Sequence, residues 1–357
     1  MAVVNFPLPE TDYRVQHPRL RPGTRVLFAT PSQPAGVSDD DYVCMRFSEG
    51  ISSRDFLSFV ALARELRRRR RQLDIVHLYS TKLILFGPVV AALAGVPCVI
   101  TVTGFGRLFN DDLPHYRPAR VVYRLMFRGA VRLSRVVLFQ NCGDLEATGT
   151  WCRGVVEKGR YIGSATTRVP DAAPKAEGGR LRVMHVARLL PSKGIADFIE
   201  VARRLHDDVD FVLVGGTSHS YPELAEAVRS AESAGFLTYR GRLDGDELAK
   251  EYDTSHVLFF PSYGEGMARV MLEAGMRHLC PVAYDIPANR DLVATGQGFL
   301  LPVGAVDEAT GVITRLASER ETVRRAASAY HDHICEEFSM ERFAERLDHV
   351  LDEVSPR

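Results

Sequence analysis

Two glutamates stand eight positions apart in the stretch FPSYGEGMARVMLEAGM, residues 260–276. A predicted buried strand ends at Phe260, a glycine-containing turn follows, and an apolar helix carries Glu273. Such a turn exposes backbone N–H groups at the positive end of the helix dipole, where a phosphate or the polar edge of a sugar can bind. We expect Glu265 to reach sugar hydroxyls and Glu273 to accept hydrogen bonds from a ribose diol. The alternative, a helix-start carboxylate and a solvated helix residue, is disfavoured by the apolar neighbours of Glu273.

Two cations lie in a second stretch, MHVARLLPSKGI, residues 184–195. Arg188 and Lys193 occupy the loop between a predicted strand and a helix that begins near Gly194. Cations at the carboxyl end of a strand suit a diphosphate, because they neutralise the charge that grows as a nucleoside diphosphate leaves. The alternative is a pair of solvated loop charges. The chain has only five lysines among its 45 basic residues, which favours a specific role for Lys193.

Length and composition limit the classes of protein that could carry these residues. The chain has 357 residues, more than the ~250–300 that usually share one hydrophobic core, so we expect two domains. Its 46% hydrophobic and 25% charged residues are typical of an ordinary globular protein. Its formal net charge of zero gives no reason to expect nucleic acid as a partner.

The cysteines and the first residues indicate a compartment. The six cysteines are scattered without a Cys-x-x-Cys pair, so neither a zinc site nor a disulfide framework is expected, and a reducing compartment fits best. The opening stretch MAVVNFPLPETDYRVQ lacks the basic segment and apolar run of a signal peptide. We therefore expect a cytoplasmic protein.

Short apolar strands alternate with amphipathic helices along the chain. The predicted strands are residues 25–29, 75–78, 99–102, 136–139, 183–186, 211–214 and 257–260. The predicted helices include residues 54–71, 82–94, 195–205 and 247–252, with two more, 319–338 and 340–354, at the end. This alternation predicts parallel sheets with helices on both faces, and in such sheets ligands bind beyond the carboxyl ends of the strands.

The segment TTRVPDAAPKAEGGR, residues 166–180, interrupts the alternation and has the composition of a linker. It predicts an N-terminal Rossmann-like domain at 1–167 and a C-terminal one at 168–335. A last helix within 336–357 is predicted to pack back on the first domain. The predicted fold class is therefore α/β, with two Rossmann-like domains facing across a cleft.

One uncharged stretch, residues 83–102, is long enough to span a membrane. Pro88 and the Gly-Val-Pro break at 95–97 argue against a single helix facing lipid. We favour a buried helix followed by a buried strand, which explains the same residues.

Acidic runs at 39–41 and 111–112 suggest a competing interpretation, in which carboxylates hold Mg²⁺ or Mn²⁺ against a diphosphate. Neither run follows a strong buried strand, and the second half of the chain already supplies cations for a diphosphate. We therefore favour solvated loop acids.

Five consecutive arginines, residues 67–71, end a predicted amphipathic helix, and a second basic stretch covers 117–135. Cations at a helix C-terminus are favourable because of the helix dipole alone. Near an anionic lipid surface each such charge also contributes about 1 kcal/mol to binding. Both interpretations, a solvated helix end and a membrane-facing N-terminal domain, stay open at this point.

The stretch PSYGEGMARVMLEAGM resembles the Glu-x7-Glu signature of family 4 retaining glycosyltransferases, which have the GT-B fold. VARLLPSKGI is similar to the donor-phosphate loop of that family. TVTGFGRLF, residues 101–109, is similar to a Gly-rich turn of members that build bacterial capsule or O-antigen repeats. Further similar stretches are LDIVHLYSTK at 73–82, GPVVAALAGVP at 87–97, VLFQN at 137–141 and YIGS at 161–164. The resemblance covers most of the chain.

This resemblance implies a role for each candidate residue. Arg188 and Lys193 would hold the donor diphosphate, and Glu265 would contact the transferred sugar. The other implied donor-binding residues are Gly266, Met267 and Ala268 through their backbone amides, Glu273 at the ribose, and Gly104, which lets the backbone of the first domain approach the donor. Lys82 and Arg107 are the candidates for binding the phosphates of the acceptor.

Three stretches and one single residue depart from the family pattern. The stretch 165–167 replaces an Asp-containing turn, Ala268 stands where Pro is common, residues 285–290 alter a Pro-Gly-bearing loop, and PSQPAG at 31–36 replaces a more glycine-rich loop. These departures bear on the base of the donor and on the acceptor more than on the reaction class.

The resemblance implies transfer of a hexose or N-acetylhexosamine from a nucleotide-diphosphate sugar, with UDP as the expected carrier. The expected acceptor is a lipid-linked saccharide in surface polysaccharide assembly, reached by a protein peripheral on the inner face of the membrane. Members of the family retain the anomeric configuration and need no bound metal, so we expect no cofactor. The alternatives are a transferase with a soluble small-molecule acceptor and a catalytically silent protein that binds sugar nucleotides.

Overall fold

A computed structural model describes residues 2–4, 27–30, 42–44, 53–105, 117–166, 175 and 178–354. The chain divides into two compact units. The first comprises residues 1–167 together with 340–357, and the second comprises residues 168–339. Each unit is built on one parallel sheet with helices packed against it, so the predicted α/β class is confirmed.

The first unit has a seven-stranded sheet in the order β3-β2-β1-β4-β5-β6-β7, with every recorded pair parallel. Its strands are β1 (Ala2–Val4), β2 (Leu27–Thr30), β3 (Tyr42–Cys44), β4 (Val76–Tyr79), β5 (Cys98–Val102), β6 (Val136–Phe139) and β7 (Gly159–Tyr161). Its helices are α1 (Ser53–Arg69), α2 (Thr81–Ala94), α3 (Arg117–Leu133), α4 (Cys142–Trp151), α5 (Arg153–Lys158) and the chain's last helix, α13 (Met340–Val354).

Both faces of this sheet are covered, because side chains along a strand point alternately to opposite faces. Val76 and Leu78 of β4 pack into the core beneath helices α1 to α3. Tyr79 of the same strand joins a second core on the other face, which Phe343 and Leu347 of α13 complete. The last helix of the chain therefore belongs to the first unit.

The uncharged stretch 83–102 forms most of helix α2 and then strand β5. Gly95 ends the helix, and its N–H donates to the carbonyls of Ala91 and Ala92. The prediction of a buried helix followed by a buried strand is confirmed. Within the described ranges, no helix has both the length and the apolar character required to cross a membrane.

The second unit has a six-stranded sheet in the order β10-β9-β8-β11-β12-β13, again parallel throughout. Its strands are β8 (Leu181–Val186), β9 (Val209–Val214), β10 (Thr238–Tyr239), β11 (Val257–Phe260), β12 (Cys280–Tyr284) and β13 (Phe299–Leu301). Its helices are α6 (Ile195–Leu205), α7 (Pro222–Ser233), α8 (Gly245–Thr254), α9 (Arg269–Met276), α10 (Pro287–Arg290), α11 (Val306–Ser318) and α12 (Arg320–Glu337). Apolar cores lie on both faces of this sheet as well.

Candidate functional site

The strand order of the second unit fixes where its ligand site should be. From β8 the chain builds β9 and β10 towards one edge, and then returns to build β11, β12 and β13 towards the other. Strands β8 and β11 are therefore neighbours although the chain between them is long. In open parallel sheets this switch point, at the carboxyl ends of the strands, is where ligands bind. The loops that follow β8 and β11 carry the two stretches singled out in the sequence.

The loop after β8 is held by buried anchors. Leu189 and Leu190 are buried, and a 3-10 turn at Pro191–Lys193 follows them. His185, inside β8, contacts the carbonyl oxygen of Lys193 through Nε2 at 2.9 Å. Burial lowers the pKa of His185 to about 4, so the imidazole is neutral near pH 7 and donates from Nε2 to that carbonyl. The backbone of Lys193 is thus fixed by a side chain of the strand itself.

Gly194 brings the two loops together. Its φ of +64° is an angle that favours glycine, and a Cβ at this position would stand 2.0 Å from the carbonyl oxygen of Pro261. Beside it, the N–H of Tyr263 donates to the carbonyl of Ser192 at 3.0 Å. The loop after β8 therefore lies directly on the turn after β11.

Lys193 and Glu265 form an ion pair across this junction, with 2.5 Å between Nζ and Oε1. The hydroxyl of Ser262 also donates to Oε1 of Glu265, at 2.8 Å. The two charged side chains retain only 20% and 14% exposure. The structure thus brings together two of the predicted site residues, one from each loop, in a partly buried position.

Arg188 lies at the carboxyl end of β8 and is exposed. The N–H of the next residue, Leu189, donates to the carbonyl of Gly216 at 2.9 Å, which places this part of the loop beside the end of β9. Among the residues that the structure describes, the guanidinium of Arg188 has no hydrogen bond or ion pair. Its charge is available to an anionic ligand.

Gly266, Met267 and Ala268 form the turn between Glu265 and helix α9. The carbonyl of Ala268 accepts from the N–H of Met271 at 3.0 Å, so Ala268 caps the helix. The amides of Met267 and Ala268 donate to no acceptor in the described part of the chain. A helix start with such amides is the arrangement that anions and polar sugar edges use.

Glu273 lies in the second turn of α9, and its hydrogen-bond partner comes from helix α8 and not from the loop after β8. The hydroxyl of Tyr252, in α8, donates to Oε2 of Glu273 at 3.0 Å. Burial raises the pKa of Glu273, and the Tyr252 hydrogen bond partly offsets that rise. The described residues show no hydrogen bond that joins Glu273 to Lys193 or Glu265. Glu273 thus shares the helix of the site without contacting the ion pair.

Several polar residues at this edge were not identified in the sequence. Asp197, in the first turn of α6, accepts from the hydroxyls of Tyr263 at 2.8 Å and Tyr284 at 2.5 Å. His185 and Ser262 hold the backbone and the carboxylate of the ion pair. Two sequence features could have indicated these residues. His185 is a polar residue within an apolar strand, and Tyr284 is a polar residue at the end of an apolar strand.

The candidate residues of the first unit have a different environment. Lys82, in the first turn of α2, forms an ion pair with Asp55 of α1 at 2.7 Å. Gly104 follows β5 with a φ of +127°, an angle that favours glycine. Arg107, the acidic runs at 39–41 and 111–112, and the stretch 31–36 lie outside the described residues. Within the described ranges, no group of three or more His, Cys, Asp or Glu side chains is placed to hold a metal ion.

Comparisons with known proteins agree with this architecture. HepE from Anabaena, solved in complex with UDP, matches 99% of this chain and 100% of its own chain with a TM-score of 0.74 and 15% sequence identity. Alpha-maltose-1-phosphate synthase of Mycobacterium tuberculosis is 29% identical over 198 residues, 52% of this chain and 51% of its own length. The match thus spans about half of that relative.

A longer match joins the chain to UDP-Gal:alpha-D-GlcNAc-diphosphoundecaprenol alpha-1,3-galactosyltransferase of Escherichia coli, which is 26% identical over 296 residues, 75% of this chain and 72% of that protein. The family model described as glycosyl transferases group 1 matches residues 171–333. That range covers most of the second unit, including both loops of the site. The second unit is therefore similar to the glycosyl transferases group 1 family, and the chain has the GT-B fold of its structural neighbours.

Proposed function

We propose that the chain is a retaining glycosyltransferase that moves a hexose or N-acetylhexosamine from a UDP-linked donor to a lipid-linked saccharide. The observation that carries this proposal is the Lys193–Glu265 pair at the switch point between β8 and β11. One cation and one carboxylate stand there within hydrogen-bonding distance of each other, the first suited to a diphosphate and the second to sugar hydroxyls. A nucleotide sugar is a ligand that needs both.

The donor would exchange partners with this ion pair. Its diphosphate would replace Glu265 as the counterion of Lys193, with Arg188 as the second cation. Glu265 would then be free to accept hydrogen bonds from the hydroxyls of the sugar. The amides of Met267 and Ala268, at the start of α9, lie next to Glu265 in the chain and would line the same ligand. UDP as the carrier is supported by the name of the Escherichia coli relative.

The chemical step follows from where the cations are. The bond between the anomeric carbon and the diphosphate oxygen breaks, and Arg188 and Lys193 neutralise the charge that develops on the leaving group. The acceptor hydroxyl attacks from the face that the diphosphate leaves and gives its proton to the departing phosphate oxygen. The new bond therefore keeps the configuration of the old one. Because two cations supply the charge neutralisation, the proposal includes no metal ion.

A lipid-linked acceptor is supported first by a relative. The name of the Escherichia coli relative includes a diphosphoundecaprenol acceptor, and the match covers three quarters of this chain.

The second support for a lipid-linked acceptor is an exposed apolar surface on neighbouring helices of the first unit. Its members are Phe86, Val89 and Leu93 on α2 and Val121, Val122 and Leu125 on α3. Leu93 is the most exposed of them, at 72%.

The charged residues of the two helices that carry this surface are all basic. Helices α2 and α3 contain no acidic residue. Arg117, Arg128 and Arg132 of α3 are exposed, and the arginines at the end of α1 are on the helix that packs beside α2. An apolar surface bordered by arginines is the composition of helices that lie in a membrane interface. We therefore propose that helices α2 and α3 rest on anionic lipid.

The donor and the reaction can be tested together. A panel of UDP, GDP and ADP sugars should give a thermal shift only with the correct carrier, since a ligand at about 100 times its Kd adds about 2.7 kcal/mol of apparent stability. The matching UDP sugar should then react with a diphosphate-linked N-acetylglucosaminyl lipid, and NMR of the product should show a retained anomer. Transfer to a soluble sugar alone would favour a small-molecule acceptor, and donor binding without turnover would favour a silent protein.

The membrane surface has its own test. The wild-type chain should sediment with vesicles that contain phosphatidylglycerol and stay in solution with purely zwitterionic vesicles. Leu93→Glu should abolish that sedimentation. Val303→Glu is the matched control, because Val303 is also an exposed apolar residue but lies in the second unit. Equal sedimentation of the Leu93 variant and the wild type would contradict the proposed surface.

A further inference from the structure

The second unit holds a cavity of about 490 Å³ at the end of its sheet opposite to the candidate site. His256 and His278 line it; His256 stands immediately before strand β11, and His278 stands two residues before strand β12. The cavity therefore lies at the amino ends of the strands whose carboxyl ends carry the Lys193–Glu265 pair. Its volume falls within the range of about 300–1,000 Å³ that small-molecule sites have. None of its lining residues takes part in the proposed transfer.

The charged groups in the wall of this cavity are cationic. Lys175, Arg320 and Arg324 line it, and no acidic residue is among the described residues that do. Nη1 of Arg320 is buried and has no hydrogen-bond partner in the structure as described. Burial, together with the like charge of Arg324, lowers the pKa of Arg320. A buried guanidinium nitrogen without an acceptor, next to a second guanidinium, is a position where an anion would be stabilising.

Two carboxylates near the cavity each pair with an arginine. Arg324 pairs with Glu321, which is exposed on the same helix. Asp253 pairs with Arg277 at 2.5 Å. Within the described ranges, no carboxylate forms an ion pair with Lys175 or Arg320.

Lys175 points two of its three ammonium donors at backbone oxygens. Nζ donates to the carbonyls of Tyr252 at 2.6 Å and Asp253 at 3.2 Å. Burial lowers the pKa of Lys175 to about 8, so the side chain is still mainly charged at neutral pH. It is thus a fixed cation with a donor to spare.

His278 occupies a backbone position that usually belongs to glycine. It lies two residues beyond the end of helix α9 with a φ of +54°, a left-handed conformation that costs energy for a residue with a Cβ. Its ring stacks on that of His331 with 3.7 Å between centroids. The imidazole thus stands in the cavity wall at a position where local backbone geometry alone would favour glycine.

We propose that this cavity is a binding site for a small organic phosphate. The phosphate group would contact Arg320, Arg324 and Lys175, and the organic part would pack against Val323 and Ala327, which give the wall an apolar side. A dianion suits the number of cations better than a monocarboxylate does. The proposal is independent of the transfer reaction, because it concerns the opposite end of the sheet.

Phenyl phosphate is the probe for this site, since it joins a dianion to an apolar body of suitable size. Isothermal titration of the whole chain should show binding, and saturating UDP should not displace the probe. The variant Arg320→Gln/Arg324→Gln should bind phenyl phosphate about tenfold to a hundredfold more weakly, as expected for the loss of charge-assisted hydrogen bonds. Benzyl alcohol, which lacks the phosphate, should not bind.

Arg325→Gln is the matched control. It removes one positive charge from the same helix, but Arg325 is exposed and does not line the cavity. Its affinity for phenyl phosphate should equal that of the wild type. The proposal is overturned if the wild type does not bind at millimolar concentration, if UDP displaces the probe, or if the double variant binds as well as the control. A melting curve without ligand shows whether the double variant is folded.

Discussion

The two units each contain a lysine–carboxylate pair near the carboxyl end of a central strand, and the pairs differ in what they join. Lys193 and Glu265 come from loops that follow two neighbouring strands, so their bond crosses the switch point of the sheet. Lys82 follows β4, but its partner Asp55 comes from the first turn of helix α1. The distances are similar, 2.5 Å and 2.7 Å, and all four side chains are mostly buried.

The comparison shows that the geometry of an ion pair does not identify its role. An ion pair between two loops at a strand switch point can separate to admit a ligand without disturbing the hydrophobic core of its unit. An ion pair between two packed helices fixes one helix against the other, and Phe59 of α1 also packs against Phe86 of α2. We therefore expect the pair in the second unit to control ligand binding, and the pair in the first unit to contribute mainly to stability.

The largest difference should appear in donor binding and turnover. Lys193→Met should lower kcat by roughly a hundredfold to a thousandfold, about 3–4 kcal/mol in the barrier, because one charge at the leaving group is lost. Lys82→Met should leave the affinity for UDP unchanged, as measured by calorimetry. Equal loss of UDP affinity in both variants would remove the distinction between the two pairs.

The loop that carries Lys193 should respond to acid through His185. The pKa of His185 is lowered by burial from 6.5 to about 4, so between these pH values the unfolded chain binds a proton that the folded chain does not. Stability from this residue is complete above pH 6.5 and is lost as the pH falls towards 4, by about 3 kcal/mol.

Urea unfolding of the wild type and of His185→Gln tests this prediction. Glutamine can donate to the Lys193 carbonyl without titrating, so the variant should lose less stability than the wild type between neutral pH and about pH 4.5. His349→Gln, at an exposed position of the first unit, should behave like the wild type. Parallel acid sensitivity in all three proteins would contradict the role given to His185.

The close contact between the two loops can be tested with a pair of glycines. Gly194 and Gly241 have nearly the same φ, +64° and +66°, but a Cβ at Gly194 would strike the Pro261 carbonyl, whereas a Cβ at Gly241 meets nothing within 4 Å. Gly241→Ala should cost about 1 kcal/mol for the left-handed backbone alone. Gly194→Ala should cost about 2 kcal/mol more, because the loops must separate. A similar loss in both variants, measured by urea unfolding, would mean that the contact is loose.

The smallest effect is expected for the coupling between Asp55 and Lys82. A double-mutant cycle with Asp55→Asn and Lys82→Met should give a coupling free energy of about 1–2 kcal/mol in unfolding. The same cycle should show no coupling in UDP affinity. Coupling in UDP affinity would mean that the first unit's pair also takes part in ligand binding, and the distinction between the two pairs would be wrong.

Much of the fold follows from local sequence patterns. Each of the seven strands that apolar runs predicted overlaps a strand of the structure. Strand β12 was not predicted, and Pro281 gives the reason, since proline is rarely found inside a sheet. It stands there opposite Leu258 of β11, in a central strand. Strand β3 has only three residues, too few for a period to be recognised.

Part of the candidate site could also be predicted from sequence, because glycine turns and charged loops after apolar strands are local features. Glu265 and Lys193 were identified in this way, and the structure joins them. The pairing of Glu273 with Tyr252 was not predicted, because the two residues lie on different helices. The same holds for Asp197, whose two tyrosine partners come from the ends of other strands.

The sequence by itself determined seven of the strands, several helices and the charged residues that follow two of those strands, because side-chain periodicity and turn residues act over a few positions. Only the tertiary structure decided that Lys193 meets a carboxylate 72 positions away and that the last helix covers the first sheet. The order of strands in a sheet depends on which apolar faces pack together, and that choice is made by the whole domain rather than by any one segment.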